Sequence, residues 1–176
     1  LKMKSYQVPK PGMPLQEVDS PTPKPTGKEV LVKTIACGVC HSDVHIHSGA
    51  FDLGGGNKLN VPVPNPFTLG HEVFGEVVAV GPDAANVTIG DKRIVYPWIG
   101  CGTCNVCKDN NELLCNNPIT VGTRRNGGYA EYLLAPHAKY LVPYDGVDEA
   151  FAATAACSGI TAYSALKKLK HLTAKQ

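Results

Sequence analysis

Four cysteines, Cys101, Cys104, Cys107 and Cys115, fall within fifteen residues in the spacing C-x2-C-x2-C-x7-C. Thiolates this dense in one loop can close a tetrahedral zinc shell with no ligand from elsewhere, so residues 98–118 are expected to form a lobe held by a structural metal. A closed shell of this kind holds a fold and does no chemistry. An iron–sulfur cluster is the rival occupant, since cysteines alone can hold one. Three of the seven cysteines lie outside the set. Two of them, Cys40 and Cys157, form with His71 a second group of potential ligands.

A chain of 176 residues suits one domain, or one domain and the beginning of another, with a core of its own. The net charge of +2 is small and evenly spread. Nucleic acid is therefore not an expected partner, because that needs basic residues massed on one face. Lys167, Lys168 and Lys170 read instead as favourable charge at a helix C-terminus. No run approaches the roughly eighteen apolar residues of a membrane span, and the first residues lack the apolar core of a secretory signal. Thiols at metal spacing, with an odd total, fit a reducing compartment, so the expected location is cytoplasmic. On that view Asn86-Val87-Thr88 is a surface turn rather than a glycosylation site.

Fourteen prolines and eighteen glycines cut the chain into short pieces, most of which read as strands. Residues 29–37 are rich in β-branched side chains, 73–80 alternate around Glu76, and 91–96 and 129–135 look similar. Many short strands between turns predict a mainly β, barrel-like domain with small helices. A short helix is expected over 41–48, and 49–70 reads as a long loop containing Gly54-Gly55-Gly56. That triplet lacks the Gly-Lys-Ser/Thr ending of a phosphate loop. From Asp148 the pattern turns helical, with Ser158 a candidate cap for a second helix through 169. Ile160, Tyr163, Leu166 and Leu169 give that helix an apolar stripe in need of a partner surface. A division follows into 1–147 and a helical segment 148–176.

Spacing alone does not assign Cys40, His71 and Cys157, because a lone histidine is more often a hydrogen-bonded core or surface residue than a ligand. Cys37-Gly38-Val39-Cys40 also fits a redox C-x-x-C. That reading requires a thioredoxin-like βαβ setting, which the surrounding strands do not supply. Asp43 and Glu72 could, on composition, be acids on solvated faces.

The combination of Gly38-Val39-Cys40-His41-Ser42-Asp43, Gly70-His71-Glu72, the four-cysteine loop and Cys157-Ser158-Gly159-Ile160-Thr161-Ala162-Tyr163, in this order, resembles the zinc-dependent medium-chain alcohol dehydrogenases. The resemblance spans nearly the whole chain. It implies a chaperonin-10-like (GroES-like) catalytic barrel, a structural zinc lobe, and C-terminal helices leading towards a Rossmann domain.

It further implies that Cys40, His71 and Cys157 bind a catalytic zinc with one position open, giving two zinc ions per chain with the four-cysteine site. By the same resemblance Ser42 and His45 form a proton relay, Asp43 supports the histidine ligand, and Glu72 is an acid near the metal able to bind it transiently. His41 matches a cofactor-pyrophosphate contact, Thr161 a residue beside the nicotinamide, and Trp98 a wall of the substrate cleft. His47, His137 and His171 match no catalytic position, and Cys37 reads as a buried thiol.

No G-x-G-x-x-G turn occurs in the sequence. The expectation is therefore the catalytic half of a larger dehydrogenase, with NAD and NADP equal candidates and a homodimer or homotetramer at full length. The implied reaction interconverts a primary or secondary alcohol and its aldehyde or ketone. The alternatives are a polyol or amino-alcohol dehydrogenase, in which an acid often replaces the ligand at Cys157, and a non-enzymatic zinc-stabilised module that binds a partner through its last helix.

Overall fold

The computed structural model describes residues 2–62 and 64–169; Lys170 and His171 lie outside them. The chain forms strands β1 (Lys2–Val8), β2 (Gln16–Pro21) and β3 (Val30–Gly38), helix α1 (His41–Ser48), then β4 (Ala50–Gly54), β5 (Asn57–Asn60), β6 (Phe67–Thr68), β7 (Glu72–Val80) and β8 (Lys92–Val95). Helix α2 (Asn105–Lys108), β9 (Tyr132–Ala135), β10 (Leu141–Pro143), α3 (Glu149–Thr154) and α4 (Ile160–Lys168) complete it.

The main sheet has the order β10-β8-β7-β3-β9, every pair antiparallel, and a second sheet runs β2-β1-β6. The Tyr6 N–H donates to Tyr129 O and the Glu131 N–H to Lys4 O, which ties the second sheet to the strand leading into β9. The mainly β, barrel-like expectation therefore holds. Val30, Val32, Val73, Val77 and Val95 are fully buried in the core between the strands.

Several expectations needed correction. Strand β7 does not alternate, because Phe74 faces α3 and packs on Ala152 and Ala153, so both sides of the strand are covered. Residues 49–70 are not a structureless loop. They contain the hairpin β4–β5 and strand β6, and Gly54, Gly55 and Gly56 all take positive φ at the hairpin turn. Strand β5 is exposed throughout and polar, which is why no buried-face pattern announced it. Strands β1 and β2 mix charge with few β-branched residues and were equally silent. The strand expected over 129–135 begins only at Tyr132.

Ser158 caps nothing. Helix α3 is capped by Asp148, whose carboxylate accepts the Phe151 N–H at 2.9 Å, and continues through a π-helical turn, Ala155–Gly159, directly into α4. This helix docks through small side chains, Ala152, Ala153 and Ala156. Burying a few methyl groups contributes only about 2–3 kcal/mol. The apolar stripe stays uncovered among the described residues, with Tyr163 64% and Leu166 68% exposed. No described helix is long and apolar enough to cross a membrane.

Candidate active site

Three segments far apart in sequence deliver Cys40, His71 and Cys157 to one place. Cys40 is the N-cap of α1, His71 immediately precedes β7, and Cys157 sits in the π-helical turn. One ligand atom from each lies within 4.8 Å of the others, and the two sulfurs are 4.0 Å apart. A tetrahedral zinc with Zn–S bonds near 2.3 Å separates its sulfurs by about 3.8 Å, so the trio has close to the size of such a shell.

The electrostatics favour a cation there. His71 is 2% exposed, and neither ring nitrogen has a hydrogen-bond partner. Nδ1 lies 3.3 Å from Asp43 Oδ1 without the alignment of a hydrogen bond, which leaves Nε2 with nothing. An unpaired buried nitrogen costs about 1–3 kcal/mol, and a metal ion is one partner that removes the cost. Burial opposes charge on His71, yet Asp43 and Cys157 push it up to about 11. Burial also raises Cys40, but the Ser42 N–H and hydroxyl and the His71 ring outweigh this and hold its thiol below the usual range. Cys37, in contrast, is only partly buried, yet desolvation pushes it up to about 12, which suits an inert thiol and not a redox C-x-x-C nucleophile.

Two buried acids tie the ligand segments together. Asp43, at the third position of α1, reaches back to the Cys40 N–H at 3.0 Å, as a capping-box acid does. Its other oxygen accepts the Gly70 N–H at 3.1 Å. Gly70 has φ +92°, and a Cβ there would meet the Tyr129 ring at 2.6 Å and Cys37 Sγ at 2.9 Å, so only glycine fits. Glu72 is 1% exposed, and its Oε1 accepts both the Ser158 N–H at 2.8 Å and the Ser158 hydroxyl at 2.6 Å. Neither acid is on a solvated face. Gly38 makes room for Glu72, since a Cβ would lie 2.2 Å from Oε2. Sequence reasoning gave Gly38 no role of its own and treated Ser158 as a cap. No local signal marks contacts made across 34 and 86 residues.

The four lobe cysteines also converge. Cys101 and Cys107 sulfurs are 3.9 Å apart, as are those of Cys104 and Cys115, and all four lie within 4.8 Å. The Thr103 hydroxyl and the Thr103 and Cys104 N–H groups pull Cys101 down to about 5, whereas burial and the neighbouring thiols push Cys107 up to about 12. Such a set sheds all its protons only around a cation. Glu112 fastens the lobe to the barrel, accepting the Gly100 N–H at 3.1 Å, the Tyr140 hydroxyl and the Lys139 ammonium.

Beside His71 opens a mainly apolar cavity of about 250 Å³, lined among others by Ser42, Ile46, Phe51, Trp98 and Thr120. The Trp98 ring centroid is 6.3 Å from that of His71. His45 stacks between His41 at 4.5 Å and Phe51 at 4.8 Å. Phe51 was missed as a cleft residue because its segment read as loop. His41 and Thr161 are exposed, His41 opening α1 and Thr161 on α4.

Residues 26–146 match the family described as alcohol dehydrogenase GroES-like domain. An NAD-dependent alcohol dehydrogenase of Sulfurisphaera tokodaii is 41% identical over 173 residues, covering 94% of this chain and 48% of that protein. The crystal structure of D-arabinose dehydrogenase from Sulfolobus solfataricus superposes with a TM-score of 0.80 at 32% identity, over 96% of this chain and 48% of that one. A cobalt- and zinc-bound thermostable alcohol dehydrogenase from Pyrobaculum aerophilum gives 0.80 at 30%, over 97% and 49%. The chain thus spans about half the length of the relatives it matches. The family match runs without a break through Cys40, His71 and the whole cysteine lobe, and the chain belongs to the medium-chain alcohol dehydrogenase family through its GroES-like domain.

Proposed function

We propose that the chain carries the catalytic domain, residues 1–147, of a zinc-dependent alcohol dehydrogenase, with 148–176 leading towards a dinucleotide-binding domain. The observation that carries this reading is the buried trio of Cys40, His71 and Cys157 beside an apolar cleft, with an imidazole nitrogen lacking any other partner. Cys101, Cys104, Cys107 and Cys115 would hold a second, structural zinc, which makes two per chain.

Zinc in the trio would supply Lewis acidity favouring ionisation of an alcohol hydroxyl, and NAD or NADP would accept the hydride. Ser42 lines the cleft with His71, which supports it as the group that takes the substrate's proton. His45, three residues along α1 and on the same side of the helix, passes that proton towards solvent. Its ring is held by His41 and Phe51. Trp98, Ile46 and Phe51 exclude water from the reacting carbon and select an apolar substituent. Asp43 orients His71. His41 and Thr161 are assigned to the cofactor's pyrophosphate and nicotinamide.

The expected substrates are primary or secondary alcohols with their aldehydes or ketones. A sugar or polyol substrate is the second reading, favoured by the likeness to a D-arabinose dehydrogenase; Cys157 in place of an acid and the apolar cleft weigh against it. The test is alcohol-dependent reduction of NAD or NADP by the protein at its full encoded length. Activity that vanishes in Cys40→Ser, with the four-cysteine metal retained, is expected. Two bound zinc ions and no turnover of any primary or secondary alcohol would overturn the proposal. One firmly held zinc and no second site would favour a non-enzymatic module.

A further inference from the structure

The helix that supplies Cys157 lies outside the stretch matched to the family domain, which ends at residue 146. Cys40 and His71 belong to the barrel and its first helix; Cys157 is the one member of the trio that arrives on a separately docked element. That element is lightly held. Its buried side chains are alanines and Cys157 itself, its α4 portion has no buried residue, and its Lys92–Glu149 ion pair is solvent-exposed. Against this background the contact between Glu72 and Ser158 stands out. A carboxylate 1% exposed spends one oxygen on two donors of a single residue, the neighbour of Cys157. Glu72 is itself the neighbour of His71. The two ligands are thus joined through their next residues, and the absence of a side chain at Gly38 leaves space for the carboxylate that joins them.

We propose that Glu72 is a positioning residue that latches the 155–159 turn onto the barrel, so that occupancy of the Cys40–His71–Cys157 site and docking of helix 149–168 are thermodynamically linked. This rests on the reading of those three residues as metal ligands. It assigns Glu72 a mechanical role through Ser158 and not a role as an electrostatic partner or transient ligand of the metal. Anything that binds only the docked state stabilises that state. A metal gripping Cys157 must therefore hold the helix down, and the latch must in return raise metal affinity. The π-helical turn suits this arrangement, since the wider turn lies where Cys157 is buried and its exposed neighbour Ser158 still reaches the Glu72 carboxylate.

The test uses the chain loaded with Co2+ or Zn2+, and it reads metal affinity and hydrogen exchange, not turnover. Glu72→Ala removes both acceptors and should weaken the open site by about ten- to a hundredfold, the usual range for loss of a group that orients a ligand. Glu72→Gln keeps a carbonyl oxygen able to accept both bonds and should restore affinity to within about threefold of the parent. Ser158→Ala, at an exposed position that leaves the barrel intact, should fall between them. The visible Co2+ bands of the open site should shift in Glu72→Ala and return in Glu72→Gln. Amides 150–160 should exchange faster when the Cys40–His71–Cys157 site alone has been emptied than when it is loaded, while the four-cysteine metal stays in place throughout. A glutamine variant as weak as the alanine variant would overturn the latch, because charge and not the hydrogen bonds would then matter. Equal exchange of 150–160 with and without metal would overturn the linkage. A parent chain that takes up one metal only would sink the ligand reading and this proposal together, whereas two metals with either of the preceding results sinks the latch alone.

Discussion

The carboxylate of Asp43 accepts the Gly70 amide at 3.1 Å, joining the first turn of α1 to the residue before His71. With its other oxygen on the Cys40 N–H, one buried side chain sets the spacing of two proposed ligands 31 positions apart in the chain. Removing either acceptor leaves a buried N–H unpaired, which costs about 1–3 kcal/mol. Asp43→Asn turns an amide NH2 towards one of those donors. Its expected effect is a tenfold to hundredfold loss of metal affinity at the Cys40–His71–Cys157 site, with the four-cysteine site unaffected. Competition with a chelator, read by metal released per chain, checks both halves of the statement.

On the proposed reading the cysteine lobe would depend on a metal for order, since Leu113 and Leu114 are exposed and only Cys107 and Cys115 are buried among residues 101–115. Structural zinc contributes on the order of 10 kcal/mol to such segments. Cys104→Ser should therefore lower the melting temperature and the zinc content by one ion, while leaving the open site loaded. An unchanged melting temperature would show that the lobe is held by something else.

Glu112 gives the lobe a pH dependence. Burial works against its charge, but the Lys139 ammonium, the Tyr140 hydroxyl and the Gly100 N–H together hold its carboxyl below the usual range. A carboxyl depressed in the folded state contributes stability above its unfolded pKa, and this is lost as pH falls through the lower folded value. Glu112→Gln should thus destabilise the chain at pH 7 by about 1–2 kcal/mol and by progressively less on acidification, until the two denaturation curves meet. The Lys139 pair is half exposed, so most of that effect is assigned to loss of the negative charge that strengthens the two bonds from Gly100 and Tyr140, which glutamine can accept only as neutral bonds. A constant gap between the curves from pH 7 to pH 3 would refute the assignment.

The local code was readable where chemistry is local. The four-cysteine set followed from spacing and the central strands from their β-branched runs, and the short helix expected over 41–48 forms as α1. Phe51 shows the limit. It lines the cleft, yet it lay in a stretch with no buried face, whereas Trp98 was assigned to the cleft by family resemblance and not by any periodicity of its own. Ser158 shows the same limit in a different way: serine before a helical run is an ordinary cap, and only the buried carboxylate of Glu72 arriving from β7 redirects its hydroxyl.

Residue order alone determined which groups could bind metal and that the domain would be built mainly of short strands, because ligand type, spacing and turn chemistry act over a few residues. Folding decided that Cys40, His71 and Cys157 meet, that Asp43 and Glu72 are buried, and that an alanine-faced helix carries the third member of the trio. These depend on strand order and on the docking of distant segments. The energies that settle them come from desolvating charged groups against one another, and such terms exist only once the chain has closed.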